Sequence, residues 1–458
     1  MAGRVRTRWL RSSGLAVMTA AGLTAGARAE PLTLEQAFAA AYESNPRLES
    51  ERANLRATDE DVARALSGWR PNVNVTGSYG YTSSNTNSPN PFLTIPEGHP
   101  RDVTVTATQP LFTGTTIPQT RQAKAAVLAG RAQLTSVEQQ VMLSVARAYV
   151  NVVATEAQLG YRRQNVDLLT QNLNDTQQRV NIGDVTITDL QLVQSRLNSA
   201  MADVSFAEAN LAGARADFVR AVGRPAEMLE AMPRIPQMAA NEEMALGIAL
   251  DNNPDLNFAR EQARTADAAV EVAIGNLLPS LSLQGQYRRS RDEIARGVTD
   301  DAVSVIAQIR IPLYQSGAEY ADIRKAKENR SRATLAISDT ERQVRQALET
   351  AWQTQAAAAA AVISHQQQVE AAEQAYEGFL QGIRIGERTT FDLLNAAQEL
   401  VNARVSLADA QRQYYISTFE LTVATGRLTA RALNVPVKYY DPDVHYREDS
   451  GKWFGFGD

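Results

Sequence analysis

The sequence predicts a mainly α-helical protein with a membrane β part, built as a tandem repeat with four β-strands and four long helical rods per chain. Three observations predict it. First, landmarks of one half recur in the other at a displacement of 202 to 208 residues: Asn45-Pro46 with Asn253-Pro254, Pro71 with Pro279, Pro110-Leu111-Phe112 with Pro312-Leu313-Tyr314, Gly183-x-x-Thr186-x-x-Asp189 with Gly386-x-x-Thr389-x-x-Asp392, and Gly223-Arg224 with Gly426-Arg427. Second, Pro118 and Pro225 bracket 106 residues without proline, and Pro312 and Pro436 bracket 123, which permits helices of unusual length. Third, four short segments near the prolines alternate apolar with polar residues at the period of a strand.

Taken in order, residues 1–29 read as a signal peptide. Arg4, Arg6, Arg8 and Arg11 precede an apolar run, which ends in the small-x-small pattern Ala27-Arg28-Ala29. Removing its five arginines and no acids takes the formal charge from −5 to −10, so no nucleic-acid partner is expected. The first repeat is placed at 30–228, with a helix, a β-hairpin at 70–113 and long helices over 119–222; the second is placed at 229–430, with its hairpin at 279–315 and long helices over 318–426. A tail, 431–458, follows. Asn45-Pro46 and Asn253-Pro254 read as N-cap and first position of helices. The rod from about Gln119 to Val180 would be roughly 90 Å long, far more than a compact core needs. In the second repeat Ile337, Val344, Ala351 and Ala358 lie seven apart, and the seam then steps to Val362, Val369, Tyr376 and Ile383, a heptad with a stutter that marks coiled-coil packing.

The strands carry the membrane argument. Val73, Val75, Gly77, Tyr79 and Tyr81 alternate with Asn74, Thr76, Ser78 and Gly80, and Val103, Val105 and Ala107 with Thr104, Thr106 and Thr108. Leu281, Leu283 and Tyr287 alternate with Ser282, Gln284 and Gln286; Val303, Val305, Ala307, Ile309 and Ile311 with Ser304, Gln308 and Arg310, Ile306 being the exception. A soluble sheet resting on a core would alternate in the same way. Export, the hydrophilic face and the long polar loop from Ser83 to Pro100 with its four prolines favour a transmembrane β-barrel instead. Four strands cannot close a barrel, so it must be shared between chains: two give 8 strands, three give 12 and four give 16, and only the last two leave a clear lumen.

Composition closes other routes. The chain has no cysteine and three histidines, His99, His365 and His445, far apart in sequence; no metal site, cofactor or cysteine nucleophile is expected. No carboxylate pair is marked as general acid and base, so no catalytic step is expected.

With these residues in view, the chain resembles the TolC family of outer-membrane efflux proteins over essentially its whole length after residue 29. The resemblance rests most specifically on Arg384-Ile385-Gly386-Glu387-Arg388-Thr389-Thr390-Phe391-Asp392-Leu393-Leu394-Asn395, on Thr425-Gly426-Arg427, and on Leu32-Thr33-Leu34-Glu35-Gln36-Ala37 with Asn45-Pro46 after it. Its tail, with Trp453-Phe454-Gly455-Phe456, is similar to those of α-proteobacterial members, and without cysteine it resembles the unlipidated branch. The resemblance implies a homotrimer in the outer-membrane lipid: a 12-stranded β-barrel continuous with an α-helical barrel across the periplasm. Such a trimer is the passive exit duct of a tripartite efflux pump or type I secretion system, opened by a periplasmic adaptor (membrane fusion) protein and an inner-membrane transporter.

It also implies a role for the two Gly-x-x-Thr-x-x-Asp turns, which form the constricted periplasmic mouth in the family. Capping alone would account for them, with the glycines left-handed, Thr186 and Thr389 as N-caps and the aspartates near a positive helix end. Asp392 matches a pore-lining aspartate, so three copies would make a carboxylate ring selecting cations. Arg388 matches an arginine that bonds the first-repeat turn, which assigns it to Thr188 and Asp189 as a latch; a solvated surface arginine is the competing reading, and the first-repeat equivalent is Val185. Asn395 stands where the family pattern has a second aspartate, and Ile383 where a tyrosine helps the closed state. Arg310, on the polar face of its strand, is a candidate for the barrel lumen. A periplasmic coiled-coil scaffold or adaptor would explain the rods but not the strands, and a diffusion porin the strands but not the rods.

Overall fold

The computed structural model describes residues 31–83, 97–231, 235, 239–293, 297–385 and 387–455; the segment read as a signal peptide, most of the Ser83–Pro100 loop and Gly386 lie outside them. Helix α1 (Leu34–Ser44) begins at Thr33, whose hydroxyl accepts the Gln36 N–H while the Gln36 side chain reaches back to the Thr33 N–H. Asn45 ends α1 and caps α2 (Pro46–Leu66), and Asn253 does the same between α5 (Glu242–Asn252) and α6 (Pro254–Gly275). The one short helix expected at this place in each repeat is therefore a pair. Proline has no N–H to continue the first helix but is pre-set for the start of the second, and asparagine supplies the cap.

The rods are α3 (Thr116–Asn181), α4 (Ile187–Val222), α7 (Ala318–Arg384) and α8 (Thr390–Ala424). The 66 residues of α3 and 67 of α7 give lengths of roughly 100 Å. Pro118 sits inside the first turn of α3, where an N–H has no intrahelical acceptor and its loss is tolerated. The heptad of α7 is used in two stretches: Ile337, Val344 and Ala351 pack with Ala245, Ala249, Leu256 and Leu421, whereas Val369 and Tyr376 pack with Ala372, Leu400 and Ala403. The largest cluster surrounds Met142, Tyr149, Phe218 and Phe419. The Tyr149 hydroxyl donates to the Leu32 and Glu230 carbonyls at 2.8 and 3.0 Å, tying the start of the first repeat to the connection between repeats; burial pushes this phenol up to about 12.

Six strands are described: β1 (Asn72–Tyr79), β2 (Thr82–Ser83), β3 (Glu97–Gly98), β4 (Arg101–Phe112), β5 (Ser280–Arg291) and β6 (Thr299–Arg310). Four form one antiparallel sheet in the order β1-β4-β5-β6, so the two hairpins join through β4 and β5. Even-numbered residues oppose even-numbered ones through most of the sheet, as in Asn74↔Thr106, Thr106↔Gln286 and Gln286↔Ser304. Because strand side chains alternate faces, one face carries Asn74, Thr104, Thr106, Gln284, Gln286 and Gln308, and the other carries Val73, Val75, Val103, Val105, Leu283, Val303, Val305 and Ile309. Those apolar side chains have no core beneath them: Val75, Val303, Val305 and Ile309 are all exposed. The tail turns back along the body, and α9 (Pro442–Asp449) lies on α2.

Candidate periplasmic gate

At the ends of the rods farthest from the sheet, two tight turns reverse the chain. In the first, Gly183 takes φ +78°, its N–H bonds the Val180 carbonyl and the Asp184 N–H bonds the Arg179 carbonyl, the paired bonds of a left-handed helix stop. The side chains of Arg179 and Asp184 close the same turn at 2.6 Å. Thr186 then caps α4: its hydroxyl accepts the Asp189 N–H at 3.2 Å, and Asp189 Oδ2 accepts the Thr186 N–H at 3.1 Å. The second turn repeats the box, with Thr389 Oγ1 accepting the Asp392 N–H at 3.2 Å and Asp392 Oδ2 accepting the Thr389 N–H at 3.1 Å and its hydroxyl at 2.9 Å. The backbone N–H of Thr389 first, its hydroxyl next and the nearby Arg388 charge last hold the Asp392 carboxyl below the usual aspartate range.

The two turns lie together because Leu394, at the start of α8, is buried against Leu169, Val193, Leu197 and Ala200 of the α3–α4 pair. One residue on, the side-chain Oδ1 of Asn395 accepts from Arg196 Nη2 at 3.3 Å. Arg196 escaped the sequence reading, since its partner lies 199 residues away and no spacing announces it.

Arg388 does not meet Thr188 or Asp189 in the single chain: among the described residues no ion pair or hydrogen bond joins them. Its guanidinium lies 5.0 Å from the centre of the Phe379 ring, folded back on the end of α7 over Gly382. Phe379 was also missed: it lies nine residues before Arg388, across the end of α7, and no helical spacing pairs the two. Thr188 is exposed. Arg310 falls on the polar face of the sheet, opposite Ser280 and at the end nearest the rods.

One histidine has company that sequence distance concealed. His445 Nδ1 lies 3.3 Å from the buried Asp59 and Nε2 lies 2.9 Å from Asp449, with a Glu60 oxygen close enough that one atom each of Glu60, His445 and Asp449 fall within 4.8 Å. Nδ1 thus ties α9 to α2 through Asp59, while Nε2 is engaged by Asp449 one turn on within α9.

Comparison with known proteins follows the same architecture. A family model described as "Outer membrane efflux protein" matches residues 38–224 and 245–427, one segment in each repeat. The outer membrane efflux protein BepC of Brucella suis is 30% identical over 446 residues, covering 96% of this chain and 95% of that one. The outer membrane protein TolC of Escherichia coli is 25% identical, covering 87% and 83%. Among solved structures, the Campylobacter jejuni CmeC outer membrane channel superposes with a TM-score of 0.77 at 16% identity, over 91% of this chain and 89% of that one.

Proposed function

The chain belongs to the outer membrane efflux protein family, and from that premise we propose that its two rod-end turns are the gate of the duct it forms. The protein is an outer-membrane exit duct, working as a trimer with a periplasmic adaptor and an inner-membrane transporter. The observation that carries the mechanism is the sheet: polar on one face, apolar on the other, with β1 and β6 each unpaired on one side among the described residues. Three copies joined edge to edge turn the polar faces, Arg310 among them, onto a water-filled lumen and the apolar faces onto lipid. No bond is made or broken in such a duct; the transporter supplies the energy. Residues 1–29 are the export signal, 30–228 and 229–430 the two structural repeats and 431–458 the tail.

At the mouth, three copies of Asp392 ring the entrance beside Asn395, and Arg388 reaches Thr188 and Asp189 of a neighbouring chain when the mouth is shut. Ile182, Ile187 and Ile385 at the rod tips are exposed at 80%, 68% and 70%, apolar surface that suits an adaptor docked end-on. The test is planar-bilayer conductance of the detergent-extracted protein together with its mass. A trimer with small, cation-selective channels is the expected result, and a water-soluble species without conductance would overturn the reading.

Asp392→Asn separates charge from capping, because an amide oxygen can still accept the Thr389 N–H. The variant is expected to fold normally and to show several-fold weaker block by trivalent cations in bilayer recordings. The sign with pH follows from the depressed carboxyl: its ionised form, and the cap it makes, persist above the lowered folded-state value and are lost only as pH falls through it. In a ring the three carboxylates repel one another and oppose that depression, so cation block in the unaltered protein should weaken as the solution is acidified, and block unchanged at pH far below the ordinary aspartate value of 3.8 would remove Asp392 from the ring.

A further inference from the structure

We propose that Trp453 and Phe454 are a membrane-interface anchor, seated among phospholipid headgroups at the periplasmic rim of the barrel. The inference rests on the exit-duct reading for the barrel's orientation and goes beyond it in assigning the tail a partner.

Four contacts bring the tail to that rim. The Arg131 and Asp443 side chains pair at 2.6 Å, and His445 bridges Asp59 and Asp449. Tyr446 packs on the cluster of Val62, Ala123 and Val127. Finally Arg70 Nη1 donates to the Lys452 carbonyl at 2.6 Å, and its guanidinium stacks 5.1 Å from the Trp453 ring. Arg70 stands two residues before β1 begins, next to Trp69, whose carbonyl accepts from Gln109 of β4 at 2.9 Å. The tail is thus pinned at the foot of the sheet, where the apolar outer face starts.

Having been pinned there, the last two aromatics among the described residues are left uncovered. Trp453 is 59% exposed and Phe454 92%. On the same rim Phe112, opposite Leu281 on the apolar face, is exposed, as are Leu313 and Tyr314 just past β6. A tryptophan stacked under an arginine, beside bare aromatics and continuous with a lipid-facing surface, is the composition of an interfacial girdle: the rings take the acyl boundary and the cation takes headgroup phosphate. No other segment of the described tail is so apolar and so bare.

The test uses the full-length trimer in bilayers of phospholipid brominated near the headgroup. The tryptophan emission lost on Trp453→Phe is the signal of Trp453. An anchored Trp453 gives blue-shifted emission, roughly halved by brominated relative to plain lipid. Phe454→Glu should reduce that quenching while leaving trimer mass and conductance unchanged. Water-like, unquenched emission would place the tail in the periplasm, and blue-shifted but unquenched emission would place it under protein; either overturns the anchor. Conductance recorded on the same samples reports the duct separately, so failure of the anchor leaves that reading standing.

Discussion

Gly426→Ala is expected to destabilise the protein by about 2–5 kcal/mol, whereas the matching change in the first repeat, Gly223→Ala, should cost only about 1–2 kcal/mol. Both glycines end a rod in the left-handed region, at φ +73° and +81°. Both therefore carry the strain of giving an L side chain a positive φ. They differ in what a new methyl group would touch. At Gly223 it meets only the Ser44 hydroxyl at 3.4 Å, which can rotate away. At Gly426 it stands 2.6 Å from the Asn252 carbonyl oxygen and 2.7 Å from its carbon, backbone atoms held at the junction of α5 and α6. Room can come only by pulling the end of α8 from that junction, which loosens the cluster joining Leu421 to Ala245, Ala249, Leu256 and Leu348. Thermal dissociation of the purified trimers on heating would rank the two variants. Equal losses would mean that the strain at φ decides and the backbone contact does not.

That pair also marks how far the sequence can be read. Interactions confined to a few residues were legible: Thr186 with Asp189 and Thr389 with Asp392 announce their caps by spacing, and the α7 heptad announces its seam. Alternation in the strands was enough to say which side chains share a face, because the period of two leaves no other arrangement. It could not say that β4 pairs with β5, since any strand with that alternation offers the same edge. Contacts between distant segments were hidden for a similar reason. Arg196 with Asn395, Tyr149 with the Leu32 and Glu230 carbonyls, and His445 with Asp59 depend on how rods and tail are laid side by side, and nothing within the residues themselves encodes the partner. The gate was half legible. Its caps follow from local spacing, the latch was proposed from resemblance alone, and the resting place of Arg388 on Phe379 follows from neither.

Arg388→Ser is expected to raise the conductance of the closed channel and the passage of antibiotics, with the open population growing roughly tenfold if each of three latches contributes about half a kcal/mol. The physical case begins in the asymmetry of the repeats. In the first turn Arg179 is already spent on Asp184, and the positions matching Phe379, Gly382 and Arg388 are Thr176, Arg179 and Val185. No cation remains there to reach across. In the second turn the arginine has moved to 388, Gly382 leaves space beneath its stem, and Phe379 gives its charge a place to rest within one chain. On the proposed latch, Arg388 has two alternatives, the ring of its own rod or the Thr188–Asp189 turn of a neighbour, and the balance between them would set how tightly the mouth closes. Phe379→Leu removes the first alternative and should shift the arginine toward the second, so its conductance should move opposite to that of Arg388→Ser. Opposite shifts would establish competition between the two sites; unchanged closed-state conductance in Arg388→Ser would retire the latch, and a rise in both variants would mean that Phe379 positions the arginine for closure instead of holding it back.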